Sequence, residues 1–297
     1  MSASLRAKVL ANELVGREVY LLRLRAAPIA AAARPGQFVM LRVAPGPEPL
    51  LARPFSVHGV DGEDLFVLYQ VRGRGTALLS QAAPGDELVI WGPLGRGFEL
   101  QARRPALVAG GLGIAPLGFV ARKLEDKGIP FQLLSGGATR EAIEGLEKRL
   151  EALLRGRLGR GPVDKLRSLV AAKTKASGSL SSSTIPFSGT CTSTTIDGSY
   201  GEKGMVTLSL QNSFSLPAAY RPDAVLACGP LPMLKAVAGM CAEKKVPCQV
   251  SLEAPMACGV GACLGCVLPA AAGGYVRVCQ EGPVMDAAAL DWERIEA

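Results

Sequence analysis

The stretch "PALVAGGLGIAPLGFVARKLEDKG", residues 105–128, decides the fold of this 297-residue chain. It begins with an apolar run, turns on the glycines Gly110, Gly111 and Gly113, and continues with residues typical of a helix. This order predicts a buried strand, a tight turn and a helix. An apolar strand followed directly by a helix is typical of a parallel sheet that helices cover on its faces.

The same order recurs downstream of this stretch. The segments "PFQLLSG" (130–136) and "DAVLACG" (223–229) predict two more buried strands. Each precedes a predicted helix, "TREAIEGLEKRLEALLRG" (139–156) and "LPMLKAVAGMCAEKK" (231–245) respectively. Continuous apolar strands that alternate with helices predict a doubly wound parallel sheet over residues 102–245.

Upstream of it, residues 1–101 are rich in predicted strands. Glycine and proline turns separate short apolar runs, which are "REVYLLRLR" (17–25), "GQFVMLRV" (36–43), "DLFVLYQV" (64–71) and "DELVIWG" (86–92). Several strands at this spacing predict a small β-barrel or sandwich. The last segment, 246–297, is rich in cysteine and glycine and has little helical pattern, which predicts a small domain organised by a cofactor.

One segment fits none of these patterns. Residues 177–195, "SGSLSSSTIPFSGTCTSTT", contain twelve serines or threonines, and a basic run from Arg155 to Lys175 precedes them. We expect a flexible, low-complexity surface insertion over about 155–195, with a helix at 163–173. Its Cys191 is expected to be incidental rather than a ligand.

Composition limits the class of protein. The chain is 48% hydrophobic and 20% charged, and most of its net charge of +7 comes from the basic run, which argues against a basic nucleic-acid groove. No apolar run reaches the length of a membrane span, and the N-terminal residues lack a signal-peptide core. We therefore expect a cytoplasmic protein that does not contact a membrane, in which clustered cysteines bind metal rather than form disulfides.

The tail carries such a cluster of cysteines. Cys258, Cys263, Cys266 and Cys279 follow the spacing C-x4-C-x2-C-x12-C, which begins like the plant-type pattern for a 2Fe–2S cluster. The intervening glycines allow the loop to approach a cluster closely. Zinc is the alternative, but its sites usually combine two paired knuckles, and the only histidine of the chain is distant in sequence. Cys228, Cys241 and Cys248 lie in apolar elements and are expected to be core thiols.

Two glycine turns point to a nucleotide. The turn at Gly110–Gly113 opens a helix, where free amides favour an anion, and Cys228, Gly229 and Pro230 form a second turn after a later strand. Both turns are expected at the carboxyl edge of the same sheet, where ligands bind. Ser135 and Arg140 follow the second strand, where a 2′-phosphate could be recognised, so this pattern leaves NAD and NADP both open.

Together these segments resemble the ferredoxin–NADP reductase superfamily and, within it, the electron-transfer subunits of dihydroorotate dehydrogenase B. The resemblance covers the chain outside the insertion. The segments that carry it are "RPFSV" (53–57), "GRGT" (73–76), "GPLGRGF" (92–98), "AGGLGIAPL" (109–117), "DGSYGEKGMVT" (197–207), "CGPLPML" (228–234) and "SLEAPMACGVGACLGCVLP" (251–269). It implies a Greek-key barrel that binds FAD, a doubly wound domain that binds NAD, and a C-terminal 2Fe–2S domain.

The resemblance also implies site residues. Arg53 would contact the FAD pyrophosphate, and Ser56 would lie near the flavin N5. The implied FAD contacts are Arg53, Pro54, Phe55, Ser56, Leu68, Tyr69, Gln70, Gly75 and Thr76. The implied nicotinamide nucleotide contacts are Gly110, Gly111, Gly113, Cys228, Gly229 and Pro230. His58 is expected to be a satisfied strand histidine rather than an acid or base.

A partner subunit follows from the same resemblance. It would oxidise dihydroorotate on FMN, in a heterotetramer with two copies of each chain, and single electrons would reach NAD⁺ through the cluster and FAD in pyrimidine biosynthesis. One alternative is an iron–sulfur flavoprotein reductase subunit of another dehydrogenase or of a hydrogenase. A non-enzymatic interaction module that binds zinc is the alternative of another class.

Overall fold

The computed structural model describes residues 2–43, 49–155 and 190–296. The strands are β1 (Ala3–Gly16), β2 (Val19–Arg25), β3 (Phe38–Arg42), β4 (Arg53–Asp61), β5 (Asp64–Gln70), β6 (Glu87–Leu94), β7 (Pro105–Gly110), β8 (Gln132–Gly137), β9 (Thr190–Thr195), β10 (Glu202–Lys203), β11 (Ala224–Cys228), β12 (Cys248–Ser251), β13 (Val267–Pro269), β14 (Tyr275–Arg277) and β15 (Val284–Asp286). The helices are α1 (Ala27–Ala32), α2 (Arg74–Leu79), α3 (Ile114–Asp126), α4 (Arg140–Arg155), α5 (Val206–Phe214) and α6 (Leu231–Lys244).

The N-terminal strands close into a barrel in the order β1-β2-β5-β4-β3-β6. All of its ladders are antiparallel, and side chains along β6 alternate between buried and more exposed positions. This period of two is what a strand with one face on a core requires. The prediction of a small Greek-key barrel is confirmed.

The second unit is a seven-stranded sheet in the order β10-β9-β8-β7-β11-β12-β15. Only its last pair, β12 with β15, is antiparallel. Every residue of β7 and β11 is buried, as expected for strands with helices on both faces. The chain moves outward from β7 in one direction and returns to β11 on its other side, so the winding reverses between these two strands. The prediction of a doubly wound sheet is confirmed, and this reversal is where such sheets bind ligands.

The prediction that the flexible insertion extends to residue 195 was wrong at its C-terminal end. Thr190–Thr195 form β9, which pairs in parallel with β8 inside the sheet. Thr194 and Thr195 are fully buried, and their hydroxyls donate to the carbonyl oxygens of Ser135 and Tyr200. The branched side chains suit a buried strand, and the hydrogen bonds offset the burial of the hydroxyls. The rest of the insertion, including the helix expected at 163–173, lies outside the described residues apart from the end of α4.

The cysteine-rich segment leaves the sheet and returns to it. It departs after β12, forms a hairpin of β13 and β14, and re-enters as β15, whose Met285 pairs with Val250 of β12. The domain limits at 101 and 245 stay a prediction, and the sheet itself continues past the second limit. One apolar core joins this segment to the barrel, because Met40 and Leu94 share it with the buried Cys266 and Cys279.

Three of the remaining thiols are buried, as expected for core cysteines. Cys228, Cys241 and Cys248 lie buried in sheet and helix, whereas Cys191 is exposed on β9. Among the described residues, no helix is both long and apolar enough to cross a membrane.

Candidate functional site

A cleft of about 430 Å³ lies where the barrel, the sheet and the cysteine-rich segment meet. It is lined by Phe38, Pro54, Phe55, Ser56, Leu68, Tyr69, Leu112, Ala115, Pro116, Leu252, Glu253, Ala254, Pro255, Met256 and Pro283. The structure thus brings five of the residues predicted to contact FAD to one cleft wall, on β4 and β5, and places the first turn of α3 beside them. A mainly apolar cleft at a domain junction is a usual place for a cofactor ring.

Aromatic side chains fix this barrel wall. The Tyr69 ring stacks on Tyr20 at 5.6 Å between centroids and meets the Phe55 ring edge-on at 5.7 Å. Its hydroxyl donates to Asn12 Oδ1 at 3.1 Å, and burial raises the pKa of Tyr69 to about 12. Tyr69 is therefore a neutral side chain that its neighbours hold in place.

The other predicted FAD residues lie outside the cleft lining. The guanidinium of Arg53 lies over Gly75, where an added Cβ would come within 3.0 Å of the Arg53 Nε. The Thr76 hydroxyl accepts hydrogen bonds from the backbone nitrogens of Arg72 at 2.8 Å and Gly73 at 3.2 Å. Thr76 therefore shapes the turn into α2, and the missing side chain of Gly75 leaves room for the Arg53 guanidinium. Gln70 ends β5, next to Tyr69.

The two glycine turns interlock at the reversal of the sheet. A Cβ on Gly113 would lie 2.0 Å from the Cys228 carbonyl oxygen, and one on Gly110 would lie 2.7 Å from Pro230 Cδ. A Cβ on Gly229 would in turn come within 2.9 Å of the Gly110 Cα. These glycines are required for contact between the turns themselves. Only Gly111, with φ +51° and no described atom within 4 Å of an added Cβ, faces open space that a ligand could use.

The thiol of Cys228 points into the protein. Burial raises the pKa of the Cys228 thiol to about 12, so this thiol stays protonated. The part of Cys228 at the turn is its carbonyl oxygen, which closes on Gly113. We therefore expect any nucleotide contact of Cys228 to involve its backbone.

The four tail cysteines lie on a loop in which backbone amides point at sulfur. Val260 N donates to Cys258 Sγ at 3.4 Å, Gly261 N to Cys279 Sγ at 3.1 Å, and Cys279 N to Cys266 Sγ at 3.4 Å. Positive φ angles at Gly259 (71°) and Gly261 (78°) make these orientations possible. The Val260 amide lowers the pKa of Cys258 to about 6, whereas burial raises that of Cys279 to about 12. A bound metal ion would be needed to deprotonate the buried thiol.

The same cysteines form two pairs. Cys258 lies near Cys263 and Cys266 near Cys279, close enough for each pair to influence the pKa of one member. Across the residues described, no three histidine, cysteine, aspartate or glutamate side chains are arranged to hold a single metal ion. Two thiol pairs supply two ligands for each of two irons, so the donor set fits a 2Fe–2S cluster.

An ion pair between Arg277 and Glu281 contacts the backbone of the cysteine loop. Arg277 and Glu281 are joined by a short ion pair between Nη2 and Oε1, and the Arg277 Nε also donates to Glu281 Oε2 at 3.1 Å. The Arg277 Nη1 donates to the carbonyl oxygen of Gly261 at 3.3 Å. Sequence reasoning missed this pair, although both residues flank Cys279 in the chain.

Sequence reasoning also missed the segment 252–256. It lines the first cleft, and its residues 252–255, together with Gly229 and Pro230, line a second cleft of about 350 Å³. Desolvation in this position raises the pKa of Glu253. The signal available was its place in the motif quoted above, five residues before Cys258.

The structure corrects the idea that Ser135 recognises a 2′-phosphate. Ser135 is buried, and its hydroxyl donates to Glu147, which also accepts from Ser193 Oγ at 2.7 Å. Arg140 lies over the Tyr200 ring at 5.4 Å and forms an ion pair with Glu144 at 3.4 Å. A phosphate at this position would have to compete with the Glu144 carboxylate.

Comparisons with known proteins agree with this geometry. Residues 253–291 match the family model described as "Iron-sulfur cluster binding domain of dihydroorotate dehydrogenase B". Among solved structures, an NADH-dependent reduced ferredoxin-NADP oxidoreductase has a TM-score of 0.74 at 24% identity and covers 97% of this chain and 90% of its own. A ferredoxin NADP+ reductase from Neisseria gonorrhoeae has a TM-score of 0.58 at 16% identity, covering 81% and 91%. These two likenesses concern the fold.

Sequence relatives extend the match over the whole chain. The protein named "Dihydroorotate dehydrogenase B (NAD(+)), electron transfer subunit" from Caldanaerobacter subterraneus subsp. tengcongensis is 36% identical, with 96% of this chain and 97% of that protein covered. Its counterpart from Clostridium acetobutylicum is 37% identical over 84% and 83% of the two chains. The barrel, the doubly wound sheet and the four-cysteine loop thus occur here in a chain that belongs to the family of electron transfer subunits of dihydroorotate dehydrogenase B.

Proposed function

We propose that this chain carries electrons from a dihydroorotate-oxidising partner subunit to NAD⁺ in pyrimidine biosynthesis. The observation that carries the proposal is the continuity of segment 252–256, which lines the first cleft, with Cys258, the first cysteine of the loop. A flavin in that cleft and a cluster in that loop would be neighbours. FAD, a 2Fe–2S cluster and NAD supply the chemistry when bound, namely single-electron exchange at the cluster and hydride exchange at the flavin.

The barrel wall would hold FAD. Phe55 and Tyr69 are buried rings that make this wall rigid, and Ser56 lies on the same strand wall, where its hydroxyl would be placed to hydrogen-bond to the flavin ring. Arg53, fixed over Gly75, is a permanent cation suited to the pyrophosphate. Pro54 and Leu68 exclude water from the cleft.

The interlocked glycine turns would hold the nicotinamide nucleotide. Gly111 leaves open space beside the first turn of α3, whose free amides favour a pyrophosphate. Gly229 and Pro230 close the opposite side and line the second cleft. Because Ala115 and Pro116 also line the first cleft, a nucleotide on these turns would reach the flavin site.

The exposed side of the cysteine loop would meet the partner. Cys263 is exposed there, and two apolar side chains beside it, Val260 and Leu264, are more than half exposed. An exposed apolar patch marks an interaction surface, and contact at this point would place the partner's cofactor next to the cluster. We assign the dihydroorotate site and FMN to that partner, in a cytoplasmic heterotetramer with two copies of each chain.

An absorption spectrum of the anaerobically purified chain tests the proposal. We expect flavin bands with a 2Fe–2S shoulder, bleached by NADH and much less by NADPH, together with two irons and two acid-labile sulfides per chain. A colourless protein that holds stoichiometric zinc would overturn it in favour of the interaction module.

Purification with the FMN subunit separates the remaining alternative. We expect the complex to reduce NAD⁺ when dihydroorotate is added, with the isolated chain inactive as its control. A complex with full cofactor content but no such turnover would assign the chain to another dehydrogenase or to a hydrogenase.

A further inference from the structure

Arg277, at the end of β14, occupies a fixed position behind the cysteine loop. Glu281 holds it through the backbone nitrogen of Arg277 at 2.7 Å, through Nε at 3.1 Å and through the short contact at Nη2. The two bonds at Nε and Nη2 orient the guanidinium, and the bond from the backbone nitrogen holds the carboxylate in place. In that orientation Nη1 reaches the carbonyl oxygen of Gly261.

Gly261 connects the guanidinium to a ligand sulfur. Its carbonyl oxygen accepts from Arg277, and its amide donates to Cys279 Sγ at 3.1 Å. An added Cβ on Gly261 would lie 3.2 Å from Gln280 Oε1 and 3.3 Å from the Arg277 Nη1, so the residue fits closely between these side chains. Moving the guanidinium would therefore move the amide that points at sulfur.

The charge of Arg277 also lies near a ligand sulfur. The guanidinium donates to the carbonyl oxygen of Gly261, and the amide of that same residue donates to Cys279 Sγ. An arginine keeps its charge at every working pH, so this cation is constant. Glu281 balances that cation with a carboxylate at the same place.

We propose that Arg277 and Glu281 form a positioning pair that sets the reduction potential of the cluster on its Cys266/Cys279 side and aims the Gly261 amide at Cys279. The inference rests on the proposed 2Fe–2S cluster. Cluster potentials depend on nearby charge and on hydrogen bonds to sulfur, and adding an electron is favoured by a cation and by N–H donors. Arg277 provides the cation and, through Gly261, supports the N–H donor to Cys279 Sγ.

The experiment is an anaerobic redox titration of the full chain with its FAD, followed by the EPR signal of the reduced cluster. Arg277→Gln should shift the midpoint to lower potential, because it removes the cation and leaves the Glu281 carboxylate. Glu281→Gln should shift it to higher potential, because the cation then stands alone. Arg277→Lys, which keeps the charge but not the planar fork, should fall between Arg277→Gln and the wild type.

Arg294→Gln is the matched control. Arg294 belongs to the same C-terminal segment, pairs with Asp291 at 3.9 Å and lies over the Tyr275 ring at 5.9 Å. Removing it changes the net charge by the same amount as Arg277→Gln, and we expect an unchanged cluster potential. The flavin midpoint, read from absorbance in the same titration, should stay constant in every variant.

Two results would overturn the inference. One is the same midpoint in wild type, Arg277→Gln and Glu281→Gln; the other is a shift of both variants in one direction. If Arg277→Gln binds too little iron to titrate, the sign of the Glu281→Gln shift decides. A wild-type chain without iron and acid-labile sulfide would instead overturn the proposed function, so the two failures are distinguishable.

Discussion

The Nδ1 of His58 lies 2.7 Å from the carbonyl oxygen of Ala115. Because a carbonyl oxygen only accepts, this nitrogen carries the proton. The contact is buried and joins β4, which carries Phe55 and Ser56, to the first turn of α3, which follows the glycine turn. The cleft wall on β4 and the Gly110–Gly113 turn are thereby held at one separation, and the only histidine of the chain serves here as a structural donor.

Replacing His58 should loosen that junction. We expect His58→Leu to lower the free energy of unfolding by about 1–3 kcal/mol, because it leaves a buried carbonyl without this donor, and to raise the KM for NADH. His58→Asn, whose Nδ2 can take the place of Nδ1, should retain most of the wild-type stability and a KM for NADH close to that of wild type. Denaturant unfolding and steady-state kinetics of the two variants check this, and equal losses in both would contradict it.

Gly113 should tolerate no side chain. The methyl group of Gly113→Ala would lie 2.0 Å from the Cys228 carbonyl oxygen, so the backbone of one turn must shift. We expect a loss of about 3 kcal/mol in the free energy of unfolding. Gly239→Ala is the control, since Gly239 lies in α6, no described atom beyond the adjacent helix backbone lies within 4 Å of that methyl, and alanine favours a helix by about 1 kcal/mol. A Gly113→Ala protein as stable as wild type would refute the interlocked turns.

Ser56 should affect hydride transfer and not FAD binding. With Ser56→Ala we expect full FAD content and a roughly tenfold slower reduction by NADH, since one hydrogen bond of about 1.4 kcal/mol is lost. Stopped-flow absorbance measures the rate. Ser80→Ala is the matched control, because the Ser80 hydroxyl donates to the Ala77 carbonyl oxygen at 2.8 Å and does not line the cleft. Equal rates of reduction by NADH in the two variants would show that Ser56 does not take part in hydride transfer.

The barrel should lose stability in acid through Asp64. Burial alone would raise the pKa of Asp64, but hydrogen bonds from Arg23 and Arg25 outweigh it and hold the pKa below its ordinary 3.8. A lowered pKa in the folded state means stabilisation that is complete at neutral pH and is lost as pH falls through and below 3.8. Thermal unfolding from pH 7 to pH 3 should show a steeper decline for wild type than for Asp64→Asn. The same decline of the melting temperature with pH in wild type and Asp64→Asn would show that Asp64 does not cause the loss of stability in acid.

Each ligand cysteine should be required for the cluster. We expect serine variants of Cys258, Cys263, Cys266 or Cys279 to lose iron and the 2Fe–2S absorbance while keeping FAD, because the barrel wall that would hold the flavin contains none of these residues. Cys191→Ser, which changes an exposed thiol on β9, should keep both. Full iron content in any of the four variants would exclude that cysteine as a ligand.

Elements with a strong apolar pattern could be predicted from the sequence. The runs that form β7 and β11 are wholly apolar or glycine, and burial of every residue follows directly. β9 could not be predicted in this way, because "TCTSTT" has the composition of a linker. What makes it a strand is its neighbour β8, together with partners for the Thr194 and Thr195 hydroxyls that only the folded chain provides.

The candidate site likewise contains residues that could be predicted from the sequence and residues that could not. The four cysteines and the residues of β4 and β5 stand in recognisable local motifs, so they could be identified by position. The roles of Gly110 and Gly113 could not, since the groups they approach are about 120 residues away in the chain and meet them only at the reversal of the sheet. Arg277 was missed for a related reason: its importance comes from the loop that folds over it.

The antiparallel pairing of β12 with β15 has a consequence for how this tail can be shared between proteins. The matched segment 253–291 begins two residues after β12 and contains β15, so cutting it out would remove the outermost strand of the nucleotide sheet. The backbone of β12 would then lose its pairing on that side, and Leu252 N would lose its acceptor, the Pro283 carbonyl oxygen. The cysteine-rich segment is thus an integral part of the sheet rather than a separate appended domain. A fusion protein that exchanges this segment must therefore include the edge strand β15.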